Sequence, residues 1–329
     1  MKNFITKVKD SCFRFFKKIK NINWTKVKTY LFGNGLKDGV LPLLVCYALL
    51  IVIAFVFIEP ILDMFFTSFK SSKDLIDPEV IVLPKKWEFS NYKAAYVALD
   101  YLTTLFNSIW FSLLLAVIQT IVSALAGYAL ARYKIKGAKF WWGLLIAAFI
   151  IPAPMLILPR RIIFQTIFET FKIKLIGTLI PQIVLTLLGQ GVYSTILVLI
   201  CYSFFKQIPY DLDEAAYMDG ANSAQVLWHV IIKLSLPVML TVFLFSFVWN
   251  WNESVMTNNF IKTALELVPQ KLAAFDSLFT TIETSGATDL NEGYKMAGTL
   301  LSILPLIILY IFVQRKFIEG IEQSGITGV

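Results

Sequence analysis

Residues 41–58 read LPLLVCYALLIVIAFVFI, a run without a single charged side chain. The hydrocarbon core of a bilayer is about 30 Å thick, and a helix needs about 20 mostly apolar residues to cross it. A basic segment precedes the run, as in a signal peptide, but that segment is too long. The residues that follow, Glu59-Pro60-Ile61, also lack the small side chains of a cleavage site. The sequence therefore predicts a retained transmembrane helix.

The composition of the whole chain agrees with a membrane protein. The 329 residues are 57% hydrophobic and 16% charged, and the mean hydropathy is +0.69. A soluble domain of this size would need more charge to cover its surface. The net charge is +8, but the charged residues lie between apolar runs and not on one soluble face. We therefore predict no nucleic-acid partner. Cys12, Cys46 and Cys201 show no paired spacing, so we predict neither a disulfide framework nor a metal site.

Five further apolar runs resemble the first, and the sequence predicts an all-α polytopic protein with six transmembrane helices. The predicted spans are Leu41–Ile58, Leu105–Leu130, Phe140–Leu158, Thr178–Phe205, Leu234–Trp249 and Met296–Val313. Pro152 and Pro154 predict a kink in the third span. The chain is thus divided into a basic segment (residues 1–40), a transmembrane domain (41–313) and a tail (314–329).

Basic residues predict the orientation, because cytoplasmic loops of membrane proteins accumulate lysine and arginine. Most of the 30 lysine and arginine residues lie in residues 1–40 and in the loops on the same side. We therefore expect both termini in the cytoplasm and the chain in the cytoplasmic membrane. The basic block with interleaved phenylalanines at the start of the chain fits a helix on anionic membrane lipid or a solvated tail.

Three kinds of chemistry have no signature in the sequence. The phosphate-binding pattern G-x-x-x-x-G-K-[ST] is missing, so we predict that this chain does not hydrolyse ATP. No charged residue lies in the middle of a predicted span, which argues against an ion-coupled transporter without excluding it. Because no paired carboxylates, nucleophile or metal-ligand spacing occurs, we predict no catalytic residue.

The segment between the fourth and fifth spans, residues 208–223, reads IPYDLDEAAYMDGANS. Pro209 ends the preceding helix, and the acidic residues that follow it fall in the first turn of a new one, where they interact favourably with the helix dipole. Ala215 and Ala216 offer a small-residue surface, and Gly220 permits a turn or a close contact. The pattern fits a docking helix or an ordinary helix between two spans.

The spacing of Glu214-Ala215-Ala216 and Gly220 resembles the E-A-A-x-x-x-G signature of ABC importer permeases. With Asp219-Gly220-Ala221 it is similar to the carbohydrate branch, specifically the second permease subunit of maltose-type systems. The run from Gly127 to Arg132 and Trp251-Asn252-Glu253 also resemble that family. Lys233 stands where the family has a proline, so we expect a straighter entry into the fifth span.

This resemblance implies a function as the permease subunit of an ATP-driven carbohydrate importer. The implied partners are a second, homologous permease, two ATPase subunits that hold ATP and magnesium, an extracytoplasmic sugar-binding protein and membrane lipid. It implies no cofactor on this chain. A coupling loop of about residues 206–233 would contact the ATPase through six residues, Glu214, Ala215, Ala216, Asp219, Gly220 and Ala221. The alternative is a secondary sugar transporter that acts alone.

Two further sets of residues are candidates for function. Glycines of the tail, Gly320, Gly325 and Gly328, predict an extended segment. Its resemblance to the family tail implies a contact with the ATPase dimer, and the alternative is a tail without contacts. Polar and aromatic residues near the fourth and fifth spans could line a substrate path, contact other helices or anchor the membrane interface. These are Gln182, Gln190, Tyr193, Ser194, Asn250, Trp251 and Asn252.

Overall fold

The computed structural model describes residues 39–261, 264–277 and 292–323. Regular structure in this described part is helical, with no β-strand, which confirms the predicted all-α class. In chain order the helices are α1 (Val40–Thr67), α2 (Ser72–Ile76), α3 (Ser90–Ala98), α4 (Tyr101–Arg132), α5 (Ala138–Ile150), α6 (Ala153–Phe171), α7 (Ile180–Leu187), α8 (Ser194–Gln207), α9 (Asp211–Met218), α10 (Ser223–Gln225), a π-helical segment (Val226–Ile231), α11 (Ile232–Leu234), α12 (Leu236–Trp251), α13 (Val255–Phe260), α14 (Val268–Ala273) and α15 (Glu292–Gln323).

Three of the described helices are long and apolar enough to cross a membrane: α1, α4 and α15 as far as Arg315. Two pairs of shorter helices also qualify if each bent pair is one span, which gives three to five candidate spans. The chain divides at Phe65 into two units, and α1 makes up nearly all of the described part of the first. The packing described below belongs to the second unit.

The third and fourth predicted spans are interrupted. A bend of 104° separates α5 from α6 at Ile151-Pro152, which confirms the predicted kink. The fourth span is wrong as one continuous helix, because α7 ends at Leu187 and α8 begins only at Ser194. Gly189 lies in this gap with a φ of +73°, a left-handed conformation that glycine adopts at low cost.

The entry into the fifth span is strongly bent, so the expectation of a straighter entry was wrong. Residues 223–234 meet α12 at 80°. The physical reason is Pro237, which has no N–H to donate to the carbonyl of Lys233 and whose ring clashes with it. The Ser235 hydroxyl at the bend donates to the carbonyls of Ile231 and Ile232, at 2.8 and 3.1 Å.

Helix α4 is the centre of the packing. It contacts α8 so closely that a Cβ at Gly127 would lie 2.6 Å from the Cβ of Cys201. Farther along α4, Ala116 packs against Phe247 and Trp251 of α12. The Tyr101 hydroxyl, at the start of α4, donates to the Leu301 carbonyl of α15 at 2.8 Å. Helix α4 thereby joins the helices that carry the candidate functional residues.

The last helix extends beyond the predicted sixth span. Helix α15 continues through Gly320 to Gln323, so the prediction of an extended chain from Gly320 is wrong for these residues. A single glycine inside a helix costs only about 1 kcal/mol relative to alanine, which an established helix tolerates. Gly325 and Gly328 lie outside the described residues.

Candidate functional site

Helix α9 occupies the connection between α8 and the bent entry of α12. Its first turn holds Asp211, Asp213 and Glu214, where the sequence predicted them. Its end is a Schellman turn, in which the N–H of Ala221 donates to Ala216 O and that of Gly220 to Tyr217 O, both at 3.0 Å. Gly220 has a φ of +85°, the left-handed conformation at the end of this turn. The predicted spacing from Ala215 and Ala216 to Gly220 therefore places the glycine at the C-terminal cap of α9.

An arginine at the end of α4 holds the first turn of α9. The Nε of Arg132 lies 3.4 Å from Oδ2 of Asp213, and the two side chains are only 3% and 11% exposed. The guanidinium also lies 4.4 Å from the ring centroid of Tyr210, a cation–π distance. The Tyr210 hydroxyl donates to the Ala131 carbonyl at 3.0 Å. Three contacts thus fasten the start of α9 to α4.

Burial and the charge of Arg132 act on the Asp213 carboxyl in opposite directions. Burial raises the pKa of the Asp213 carboxyl above its ordinary 3.8, and the positive charge of Arg132 opposes that shift. In the described part of the chain, the three guanidinium nitrogens and Oδ1 of Asp213 have no hydrogen-bond partner. The pair is therefore an ion pair whose separation is longer than the 2.7–2.9 Å of a charge-assisted hydrogen bond.

The predicted coupling residues fall into two groups. Glu214, Ala215, Asp219 and Gly220 are exposed, whereas Ala216 and Ala221 are half-buried against the core between α4 and α8. Sequence reasoning missed Leu212 and Met218, which are 41% and 87% exposed. Residues three apart share a helix face, so this spacing around Ala215 was the available signal. Leu212, Ala215 and Met218 form an exposed apolar ridge, and the acidic Asp211, Glu214 and Asp219 are exposed on the same helix or at its end.

A buried polar network lies between α4, α8 and α12, and its centre is Gln119, which sequence reasoning did not single out. Its amide nitrogen donates to Val192 O at 2.6 Å and to Ser194 Oγ at 3.0 Å. Its oxygen accepts from Ser246 Oγ at 2.7 Å and from Asn250 Nδ2 at 2.9 Å. Ser194 and Asn250 are both candidates for a substrate path. In the structure each bonds to Gln119, so they join α8 and α12 to α4.

A cavity of about 250 Å³ lies where the bend between α5 and α6 faces the gap between α7 and α8. Gln190, Tyr193 and Ser194 of the predicted set line it. Arg160 also lines the cavity, and its Nη2 donates to Gln190 Oε1 at 3.0 Å. Arg160 was missed because the third predicted span stopped before it.

Four candidates for the substrate path do not line this cavity: Asn250, which belongs to the network above, and the three described next. Trp251 is buried against Ala116 and Phe247. Asn252 is exposed at the end of α12, where its amide donates to the Val248 carbonyl at 3.0 Å. Gln182 is buried, and its side-chain oxygen lies 3.5 Å from the hydroxyl of Thr257. These three residues make packing contacts or a contact at a helix end, and their part in a substrate path stays a prediction.

Comparisons with known proteins all indicate membrane components of transport systems. Residues 123–323 match the family model described as binding-protein-dependent transport system inner membrane component. The trehalose transport system permease protein SugB of Mycobacterium tuberculosis is 28% identical over 82% of this chain and 92% of its own length. The arabinooligosaccharides transport system permease protein AraQ of Halalkalibacterium halodurans is 27% identical over 84% and 93%.

A solved structure has the same fold. It belongs to a bacterial ABC transporter involved in the import of the acidic polysaccharide alginate, and its matching chain superposes with a TM-score of 0.67. The match covers 83% of this chain and 95% of that chain at 24% identity.

Proposed function

The chain belongs to the family of binding-protein-dependent transport system inner membrane components, and on that premise we propose that it is one permease subunit of an ATP-driven carbohydrate importer. ATP and magnesium would bind to two partner ATPase subunits. A second, homologous permease would complete the translocation path, and an extracytoplasmic binding protein would deliver the sugar. The names of the relatives, which refer to trehalose and arabinooligosaccharides, support a carbohydrate substrate.

The observation that carries the proposal is the construction of α9. Its exposed ridge of Leu212, Ala215 and Met218 is available to a partner, with the acidic Glu214 beside it. The opposite side is fastened to α4 through Arg132 and to the core through Ala216 and Ala221. A push on the ridge would therefore be transmitted to α4, and through α4 to the helices packed on it.

The proposed topology has six spans with both termini in the cytoplasm, which places α9 on the cytoplasmic face. The two interrupted regions, α5 with α6 and α7 with α8, would each count as one span. Single cysteines at Ser72 and at the highly exposed Met218 test this in a background without native cysteines. In sealed right-side-out vesicles, an impermeant thiol reagent should label position 72 only. Labelling of position 218 from outside would contradict the topology.

Uptake by the reconstituted complex tests the function itself. We expect proteoliposomes with both permeases, the ATPases and the binding protein to accumulate at least one of trehalose, diacetylchitobiose and arabinotriose, sugars of the kinds named in relatives of this chain, when ATP is supplied. Omitting the ATPases is the control. Uptake that persists without them would favour the secondary transporter, and ATP-driven uptake of none of the sugars would remove the carbohydrate assignment.

We further propose that the tail from Gly320 onward, with Gly325 and Gly328, contacts the ATPase subunits. A chain ending at Gln323 tests this while keeping the whole of α15. Weaker stimulation of ATP hydrolysis by the sugar-loaded binding protein is expected. Unchanged stimulation and unchanged uptake would remove the tail from the coupling mechanism.

A further inference from the structure

The cavity between the α5–α6 bend and the α7–α8 gap has an unusual lining for a membrane component. Arg160 and Glu253 both line it, and Tyr193 lies beside them. Charged side chains in membrane proteins almost always face a bundle interior or a water-filled cavity, and they mark substrate pathways. The cavity therefore combines a mostly apolar lining with two charged groups that can hydrogen-bond to a polar ligand.

Part of the Arg160 guanidinium makes no hydrogen bond to the described residues. The residue is 9% exposed, and its Nη2 donates to the neutral amide oxygen of Gln190 at 3.0 Å. Among the described residues, Nη1 has no hydrogen-bond partner, and no carboxylate lies within the 4.0 Å of an ion pair. A buried guanidinium without a counter-charge is costly, and a ligand oxygen would reduce that cost.

Glu253 brings the complementary chemistry to the same cavity. Its Oε1 accepts from the backbone N–H of Met256 at 2.6 Å, which orients the carboxylate after α12. A carboxylate accepts hydrogen bonds and an arginine donates them. A hydroxyl can do both, so a ring carrying several hydroxyls would satisfy the two side chains at once.

Tyr193 adds an aromatic surface at the cavity. The residue is 59% exposed, and its ring makes an edge contact with Trp249, with centroids 5.0 Å apart. Its backbone has a φ of 50°, which is uncommon for a bulky residue and concentrates at functional sites. An exposed aromatic ring beside hydrogen-bonding groups is suited to one face of a sugar.

We propose that this cavity binds one neutral sugar residue of the transported carbohydrate, with Arg160 donating to its hydroxyls and Glu253 accepting from them. The inference rests on the proposed function and adds a binding site on this chain. The volume of about 250 Å³ is below the ~300–1,000 Å³ of pockets for drug-sized ligands, so the site holds one ring of an oligosaccharide. Arg160 and Glu253 bring opposite formal charges to the cavity, so its formal net charge is zero, which suits a neutral sugar.

Uptake kinetics of the reconstituted complex test the site with whichever of the three neutral sugars the wild-type complex transports. Arg160→Met and Glu253→Gln should each raise the KM for that sugar about tenfold or more. The matched controls are Arg161→Met and Glu169→Gln, both exposed on α6, which should change it less than twofold. An unchanged KM in both cavity variants would overturn the inference and leave the proposed function standing.

Protection of a cysteine gives an independent measurement that keeps both charged residues. Ala153 is exposed and lines the cavity, so Ala153→Cys should react with a hydrophilic thiol reagent in the complex, more slowly when the sugar is present. Thr166→Cys, exposed elsewhere on α6, should react at the same rate with and without sugar. Absence of labelling or of protection at position 153 would contradict the site. Preferential uptake of alginate oligosaccharides over the neutral sugars would contradict the neutral ligand.

Discussion

Two buried arginines, Arg132 and Arg160, lie in very different surroundings. Arg132 faces a carboxylate at 3.4 Å and the ring of Tyr210, both from the helix that it positions. Arg160 faces a neutral amide, and no described carboxylate lies within ion-pair distance of it. A charge with an internal partner joins two parts of the protein, whereas a charge without one is available to a ligand.

Removal of Arg132 should have the largest effect on the protein. Arg132→Met would leave Asp213 buried without a counter-charge, a change that costs about 3–5 kcal/mol at buried pairs. We expect a lower thermal midpoint of the complex and loss of ATP-driven uptake. Combining it with Asp213→Leu should restore much of the stability, because neither charge then remains buried alone. Wild-type uptake by the single variant would show that α9 is held by other contacts.

The Schellman turn at the other end of α9 comes next in magnitude. Gly220→Ala places a Cβ in a left-handed residue, which costs about 1–2 kcal/mol although the space around it is open. Gly220→Asn should cost less, since asparagine tolerates this conformation. We therefore expect uptake in the order glycine, asparagine, alanine. Equal losses in both variants would indicate contact with the ATPase as the reason for glycine, instead of backbone strain.

Arg160→Met should change the stability of the protein much less than Arg132→Met does. Its removal leaves no carboxylate unpaired, and Gln190 is exposed and can bond to water. We expect the free energy of unfolding to change by less than about 1 kcal/mol, the usual range when no buried partner is orphaned. Thermal unfolding beside Arg132→Met measures the difference. A loss as large as that of Arg132→Met would assign Arg160 a structural role.

The smallest effect is a pH dependence at Asp213. Because its pKa in the folded state lies above the unfolded 3.8, its contribution to stability is fully present below pH 3.8 and is lost as pH rises through the folded pKa. Asp213→Asn resembles the protonated form, so it should be at least as stable as wild type at pH 7. That difference should vanish as the pH falls towards 4. A difference that widens on acidification would contradict the raised pKa.

The direction of this pKa shift also bears on the role of the ion pair between Arg132 and Asp213. The pKa of the Asp213 carboxyl stays above its ordinary value even with Arg132 beside it. The pair therefore positions α9 more than it stabilises the fold, as is common for buried pairs. The comparison of uptake with stability in the Asp213→Asn variant separates the two roles.

Much of the architecture could be predicted from local patterns. Apolar runs of sufficient length predicted α1, α4, α12 and α15, because the cost of burying charge in lipid restricts what a span may contain. Proline at position 152 predicted the bend before α6, and the acidic run after Pro209 predicted α9. Each of these signals acts within one or two helical turns, so the sequence alone carries it.

The contacts between distant segments were decided only by tertiary structure. Gln119 gave no signal, because its importance comes from partners 73 to 131 positions away. The sequence placed Arg160 after the end of a predicted span, and only the bend brings it beside Gln190. For Trp251 the sequence left a substrate path, a helix contact and an interface anchor open, and only the packing of α12 on α4 shows the helix contact. Local patterns determined which segments are helices and where they end. Which polar groups find partners, and which remain available for a ligand, depends on packing that brings remote residues together.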